Sequence, residues 1–584
     1  MNKLIVLIIM GAIIAAGIGA YFVLQKPDVS KITSFEECVK AGYPILESDP
    51  RQCKTPDGKT FTEEISPKCG DGTCGLVERL KGTCPQDCEQ APSCVENWQC
   101  ASWSSCQNGK QTRTCADSNK CGTAKSKPNE SQSCGEVKSQ DKINEDSPFA
   151  TNDFGIPSGV AKAEKITTKE QMKKEIEQSK IPQFEDIGAK WARQHPNYFG
   201  TFGWTGVDSN HDGQNMDFSL TDALVNLAQS HNIHILAGLS PLPFDAEWQT
   251  ADTYIPQNKE AYSSYVKQIV ERYDGDGKDD MPGLKYPIKY WQMENEPDLH
   301  NKFRKQRGNA NFLDPQEYFE VLKLTYNAAK QADSSSKVML NVVGYGQNMG
   351  DTSVNYLTQL NALGAGNYYD IFSYHVYPNT YETSILTELL QKFKQLIGSK
   401  SVWITESGIN GKLGTEEKEQ AAWVIKHYVS NLAGGVKKIV WLTFSDMSPN
   451  VPESAVAKYS GLTTFDSSTK KLSYYAYKKM VEVLEGSDWN NTQKIQESGG
   501  VYVYKFTKNG KSIWAAWNDN SGEKQITISG ISSSQVKITE AAPKYDSGKN
   551  IASYSTAFNT ETKTADQGKI TLTLKDKPMF VEEK

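Results

Sequence analysis

The chain has 584 residues, more than one hydrophobic core can organise, so several domains are expected. Its net charge of −6 is mild for that length, and without a long basic run it excludes a nucleic-acid partner. Aromatic residues are plentiful, with 12 Trp and 27 Tyr, which suits ligand stacking and large cores alike and decides nothing alone.

In chain order, the first feature is an apolar run from Leu4 to Leu24, preceded by Lys3 and followed by Gln25-Lys26-Pro27-Asp28. It is longer than the usual core of a signal peptide and long enough to span a bilayer. Residues 1–29 are therefore read as a retained membrane anchor with the rest of the chain outside, a cleaved signal being the alternative. All twelve cysteines follow between Cys38 and Cys134, and the remaining 450 residues have none. An even, dense set in so short a segment predicts disulfides made in an oxidising compartment. Cys69, Cys74, Cys84 and Cys88 are loosely zinc-like in spacing, but no His partner accompanies them.

The cysteines divide into small modules at 30–66, 67–90 and 91–135, none able to bury a core without cross-links. The third carries Trp98-Gln99-Cys100-Ala101-Ser102-Trp103-Ser104-Ser105-Cys106, then Arg113 and Cys115. It resembles a thrombospondin type 1 repeat, which implies Trp98, Trp103 and Arg113 layered by cation–π contact. Residues 136–148 are polar and charged and read as a linker.

From residue 149 apolar runs alternate with amphipathic stretches. Strands are predicted at Ala189 to Arg193, His234 to Leu239, Lys289 to Met293, Val338 to Val343, Asp370 to Tyr374, Val402 to Thr405 and Lys438 to Thr443. Helices are clearest at Pro315 to Ala332 and Glu416 to Leu432, and Ser219 is a plausible helix cap. This alternation predicts an α/β fold, a (β/α)₈ TIM barrel over 149–485. From Trp489 the pattern turns to short alternating strands with Gly, Asn and Ser turns, predicting a β-sandwich over 486–584.

Two of the barrel runs end in a carboxylate: Tyr290-Trp291-Gln292-Met293-Glu294-Asn295-Glu296-Pro297 and Val402-Trp403-Ile404-Thr405-Glu406-Ser407-Gly408. Barrel catalytic groups sit at the C-terminal ends of the strands. Two glutamates delivered there from different strands are what retaining glycoside hydrolysis needs, one as acid/base and one as nucleophile. A zinc hydrolase is excluded by the lack of a His-x-x-x-His helix. A surface glycan-binding or adhesive protein with an inactive barrel is the alternative, against which the intact glutamate pair argues.

These residues resemble the clan A retaining glycoside hydrolases, and residues 149–584 look most like family 39 and family 5 related enzymes. The resemblance implies Glu296 as acid/base after strand four and Glu406 as nucleophile after strand seven. It implies Arg193 on strand two, Asn295 as donor to the sugar 2-hydroxyl, His375 and Tyr377 after strand six, and Trp441 as a sugar-stacking platform on strand eight. A β-linked polysaccharide or oligosaccharide is the implied substrate. Glu294 is read as a supporting carboxylate. No cofactor is required. Asp208-Ser209-Asn210-His211-Asp212-Gly213 and the loop from Asp274 to Asp280 begin like calcium loops, yet the twelfth position is Ser219 in one and Lys285 in the other. Both are read as solvated turns, and any calcium would be structural.

Overall fold

A computed structural model describes residues 29–46, 51–62, 96–101, 110–125, 127–133, 145–154, 169–177, 180–195, 202–241, 253–299, 313–345, 350–378, 380–381, 383–453, 455 and 457–584. The chain forms two compact units, Met1–Glu136 and Val137–Lys584.

In the first unit, a helix at Phe35–Lys40 packs on a small antiparallel sheet of Ile45–Leu46, Gln52–Lys54 and Thr60–Thr62. Among the described residues its fully buried core is Ile32, Phe35, Tyr43 and the Cys38–Cys53 disulfide, so the cross-link substitutes for missing apolar area. Further on, Trp98–Cys100 pairs with Cys115–Asp117, Lys110–Thr112 pairs with Ser131–Ser133, and Cys100 is bonded to Cys115. No cysteine among the described residues is free, which favours disulfides over metal. Lys127 lies 5.5 Å from the Trp98 ring centroid, and Arg113 Nε donates to the Asn129 carbonyl. Trp103 and the 67–90 module lie outside the described residues, as does the Leu4 to Leu24 run. No helix among the described residues is long and apolar enough to cross a membrane.

The second unit holds a closed barrel of eight parallel strands. They are β1 (Phe149–Phe154), β2 (Trp191–Gln194), β3 (His234–Leu239), β4 (Tyr290–Met293), β5 (Lys337–Tyr345), β6 (Ile371–Val376), β7 (Ser401–Ser407) and β8 (Val436–Leu442). The helices that cover it are α1 (Lys169–Glu177), α2 (Ile181–Asp186), α3 (Trp204–Val207), α4 (Ser219–Ser230), α5 (Lys259–Arg272), α6 (Pro315–Ala332), α7 (Gly350–Ala362), α8 (Ser384–Ile397), α9 (Glu417–Ala433) and α10 (Leu472–Leu484). Ser219 is the first helical residue of α4 and not its cap; the cap position is Phe218, and the preceding Asp217 carboxylate accepts the Ser219 N–H.

Side chains alternate along each strand, so every second residue enters the barrel. The floor is apolar and aromatic, made of Trp191, Leu236, Tyr290, Met339, Ile371, Trp403 and Val440. Lys438 closes it from below, its ammonium 4.1 Å from the Trp191 ring and bonded to the Ser147 carbonyl. Two residues further along the strands the interior turns polar, with Arg193, Gln292, Asn341, Ser373 and Thr405 fully buried. That layer carries the site.

Beyond the barrel lies a C-terminal sheet region. It comprises β9 (Gln493–Ser498), β10 (Val501–Lys508), β11 (Lys511–Asn518), β12 (Lys524–Ser529), β13 (Gln535–Glu540), β14 (Thr560–Thr564), β15 (Lys569–Leu574) and β16 (Met579–Glu583). Six of these form an antiparallel sheet in the order β9-β10-β11-β16-β13-β14, and β12 pairs with β15. One face of the large sheet meets Ile528, Ile570, Leu572 and Leu574 of the small one. Its other face, with Tyr504, Phe506, Trp517 and Phe580, joins the barrel's own core.

Candidate active site

Strand β4 stops sharply. Glu294 and Glu296 both adopt left-handed backbone, with φ of 58° and 49°. For non-glycine residues this costs of order 1–3 kcal/mol each and persists only where the surroundings enforce it. Here they do: the Glu294 N–H donates to the Leu239 carbonyl, Gln292 Nε2 donates to the Glu294 carbonyl, and the Glu296 N–H donates to Asn341 Oδ1. The Glu294 carboxylate is fully buried and accepts from Ser240 Oγ at 2.7 Å, the Tyr254 hydroxyl at 3.0 Å and the Asn295 N–H at 3.0 Å. It therefore braces the turn, and the Glu296 side chain is left facing the mouth, 20 % exposed.

Glu406 reaches the same place by a different device. Ile404 packs outward in the core and Thr405 points inward to Asn341, so strict alternation would send Glu406 outward. The β6–β7 register slips between Tyr374 and His375, and the β7–β8 register slips between Ile404 and Ser407. Such an irregularity re-aims a side chain, and Glu406 turns into the mouth.

Around Glu406, Arg193 Nη1 donates to Oε1 at 2.5 Å and the Tyr377 hydroxyl donates to Oε2 at 2.6 Å. Arg193 is itself held by Gln292 Oε1 at 2.9 Å and Asn295 Oδ1 at 2.7 Å. His375 Nδ1 lies 2.5 Å from Glu296 Oε1 and 3.5 Å from Glu406 Oε2, bridging the two carboxylates. One oxygen of each glutamate and a ring nitrogen of His375 all lie within 4.8 Å of one another. Burial alone would raise the Glu406 carboxyl; His375, Arg193, His195 and the Tyr377 hydroxyl overcome it and hold the group well below the usual carboxylate range. Burial and the adjacent Glu406 charge push the Tyr377 phenol far up, so it remains a donor.

Thus the structure brings together Arg193, Asn295, Glu296, His375, Tyr377 and Glu406. Trp441 is the exception and a correction. It is fully buried on the outer face of β8, its ring 5.8 Å from Trp423 of α9 and its Nε1 donating to the Ser460 carbonyl at 2.9 Å. The inward neighbour is Leu442, which packs with Tyr377, Ala457 and Met447. The platform assignment misses by one residue, which in a strand means the opposite face.

Sequence reasoning missed three contributors. Asn341 binds the Glu296 backbone through Oδ1, while its Nδ2 lies 3.1 Å from His375 Nε2 and 3.2 Å from Thr405 Oγ1. Gln292 orients Arg193. His195 places Nε2 3.8 Å from Glu406 Oε1; burial and the Arg193 charge push it down to about 3, so it is neutral. The available signal was a polar residue two positions from another site residue on the same strand: Gln292 before Glu294, and His195 after Arg193.

Residues 262–469 match the profile described as glycosyl hydrolase catalytic core, a segment holding both glutamates. No curated protein sequence matches the chain. Similar solved structures include a glucosidase from Croceicoccus marinus, 13 % identical, covering 69 % of this chain and 91 % of that one with a TM-score of 0.46. A GH30 endoxylanase from Clostridium papyrosolvens is 15 % identical over 68 % of this chain and 90 % of its own, TM-score 0.45. A GH51 α-L-arabinofuranosidase from Thermotoga petrophila is 11 % identical over 75 % and 96 %, TM-score 0.49. With a catalytic-core match spanning both carboxylates, and those carboxylates gathered at one barrel mouth, the protein is a glycoside hydrolase.

Proposed function

We propose that the enzyme cleaves a β-linked glycan or glycoside by double displacement, with net retention at the anomeric carbon. The observation that carries this reading is the closeness of the Glu296 and Glu406 oxygens, within 4.8 Å. Retaining enzymes space their carboxyl groups about 5–5.5 Å apart, whereas inverting ones leave about 6.5–9.5 Å for a water between them.

Glu406, kept ionised by Arg193 and Tyr377, attacks the anomeric carbon and forms a glycosyl-enzyme. Glu296 gives its proton to the departing oxygen, then takes one from the water that releases the sugar. His375 touches both carboxylates and orients them as charge passes from one to the other. Asn295, its Oδ1 committed to Arg193, presents its amide N–H₂ to the sugar 2-hydroxyl. The disulfides Cys38–Cys53 and Cys100–Cys115 support work outside the reducing cytosol, and the Leu4 to Leu24 run is the candidate attachment to the membrane.

The test begins with a panel of polysaccharides and aryl glycosides, followed by product configuration on whichever is cleaved. Glu406→Ala should lose turnover on every substrate, and azide should restore part of it with an inverted product. Glu296→Ala should spare activated aryl glycosides and lose natural glycans, with azide rescue giving retention. Exchanged outcomes would reverse the two roles; equal activity in both variants would remove the mechanism.

A further inference from the structure

Between α3 and α4 the chain makes a tight loop, Asp208-Ser209-Asn210-His211-Asp212-Gly213, that fits the first half of a twelve-residue calcium loop. Positions one, three and five are Asp208, Asn210 and Asp212, and position six is glycine. Gly213 has φ +76°, and an added Cβ would sit 2.7 Å from the Ala261 backbone, so the position is closed to any other residue. Helix α5 holds this turn from outside, Ser264 Oγ and Gln268 Nε2 both donating to the Gly213 carbonyl.

The loop's inner bonds follow the calcium-loop order. Asp208 Oδ2 accepts from the Gly213 N–H at 2.9 Å and from Trp204 Nε1 at 2.8 Å. Asn210 Oδ1 accepts the Asp212 N–H at 3.5 Å, and Asp212 Oδ1 accepts the Gln214 N–H at 2.7 Å. These bonds would also describe an ordinary turn. What an ordinary turn does not explain is Asp208 Oδ1. Asp208 is 2 % exposed, and among the described residues no donor reaches Oδ1. A buried, unsatisfied carboxylate oxygen costs several kcal/mol unless something positive meets it. Both donors to this carboxylate sit on the other oxygen, one of them the Gly213 N–H at the sixth position of the loop, which leaves Oδ1 of the loop's first residue buried and unanswered.

We propose that this loop binds one calcium ion, through Asp208 Oδ1, the Asn210 and Asp212 side chains and the Gln214 carbonyl at position seven. Asn210 Nδ2 now lies 2.9 Å from Asp212 Oδ2; turning that amide over gives up the long Asp212 N–H bond and places two oxygens at the spacing of neighbouring calcium ligands. Position twelve is Ser219, so the bidentate glutamate of tight sites is missing and the affinity belongs with extracellular modules, about 10⁻⁴–10⁻³ M. The second acidic loop provides the contrast. Asp274, Asp276 and Asp280 cluster, but both Asp280 oxygens already accept backbone N–H groups of Gly275 and Gly277, and no oxygen of the three is buried without a partner. The bound ion would pin the segment after β2, whose Trp204 N–H donates to the carbonyl of Ser240, the residue that also holds Glu294.

Trp204 beside Asp208 makes terbium, a calcium surrogate, the direct probe. Excitation of the full chain at tryptophan wavelengths should give saturable terbium emission, quenched by calcium with a midpoint of about 10⁻⁴–10⁻³ M. Calcium at ten times its Kd should raise the folded-to-unfolded ratio about elevenfold. Asp212→Asn, at an exposed position, should weaken calcium competition at least tenfold; Asp208→Asn should abolish the emission; Asp276→Asn should leave it unchanged. Absence of saturable emission, indifference to Asp212→Asn, or loss of the signal in Asp276→Asn would each overturn the assignment. If Asp208→Asn does not fold, Asp212→Asn decides.

Discussion

At the level of single residues, the site is a contest between burying a charge and answering it. Glu406 is nearly enclosed, and the groups that answer it are Arg193 and Tyr377. Tyr377→Phe removes one charge-assisted hydrogen bond worth about 1.5–3 kcal/mol. A loss of roughly 10–100-fold in kcat/KM on an aryl glycoside is expected, with the unfolding midpoint little changed. Trp441→Phe is the reverse case. Because the indole is packed against Trp423 and bonded to Ser460, the substitution should destabilise the fold by about 1–3 kcal/mol in chemical denaturation and leave KM where it was. A KM increase without a stability loss would reinstate the platform role. These two residues also mark what could be read in advance. Glu296 and Glu406 were visible because a carboxylate followed by a chain breaker ends each apolar run. Which face Trp441 takes was not visible, since a one-residue uncertainty in strand register inverts inside and outside.

Among the elements, the strand that escaped sequence reading is β1. Phe149 and Ala150 are apolar, but Thr151-Asn152-Asp153 reads as a turn, and only closure against β8 and β2 makes it a strand. Its neighbours were legible because Val, Ile and Trp dominate them. Buried Gln292 and Asn341 were hidden for the opposite reason: a polar residue in a strand normally signals a solvent face, and here it signals the inner wall. The end of β7 offers a check on how tightly the elements are fitted. A Cβ on Gly408 would lie 2.4 Å from the Leu442 carbonyl and 3.0 Å from Ser460 Cβ. Neither a carbonyl nor a packed serine can withdraw freely, so Gly408→Ala should push β7 from β8. Glu406 lies two residues back. Thermal stability and turnover should fall together, the first by several degrees, as read by calorimetry and initial rates.

For the whole molecule, buried imidazoles govern how stability responds to acid. Burial, followed by nearby cations where present, pushes His195 down to about 3, His234 to about 4 and His427 to about 3. A histidine with a depressed folded value stays neutral while the unfolded chain takes up a proton below about pH 6.5. Stability is therefore full above about 6.5 and falls as pH drops towards the folded values. Burial raises Asp298 to about 6, which works the other way over the same range. Burial raises Glu485 and Asp446 too, so the three imidazoles act against several carboxyls and leave a net loss on the order of a few kcal/mol between pH 7 and 5. Urea midpoints measured across that interval should decline steadily; a flat profile would show that the imidazoles are solvated. The aromatic floor under Lys438 has a further bearing on traffic. Among the described residues Trp191, Tyr290 and Trp403 close one end of the barrel, and the two glutamates stand at the other. In the proposed double displacement, whatever departs after the first step leaves by the mouth through which the second reactant must arrive, so the two half-reactions are kept in sequence by congestion. On that mechanism an acceptor sugar lingering at the mouth competes with water, and synthesis of new linkages at high substrate concentration is the expected consequence.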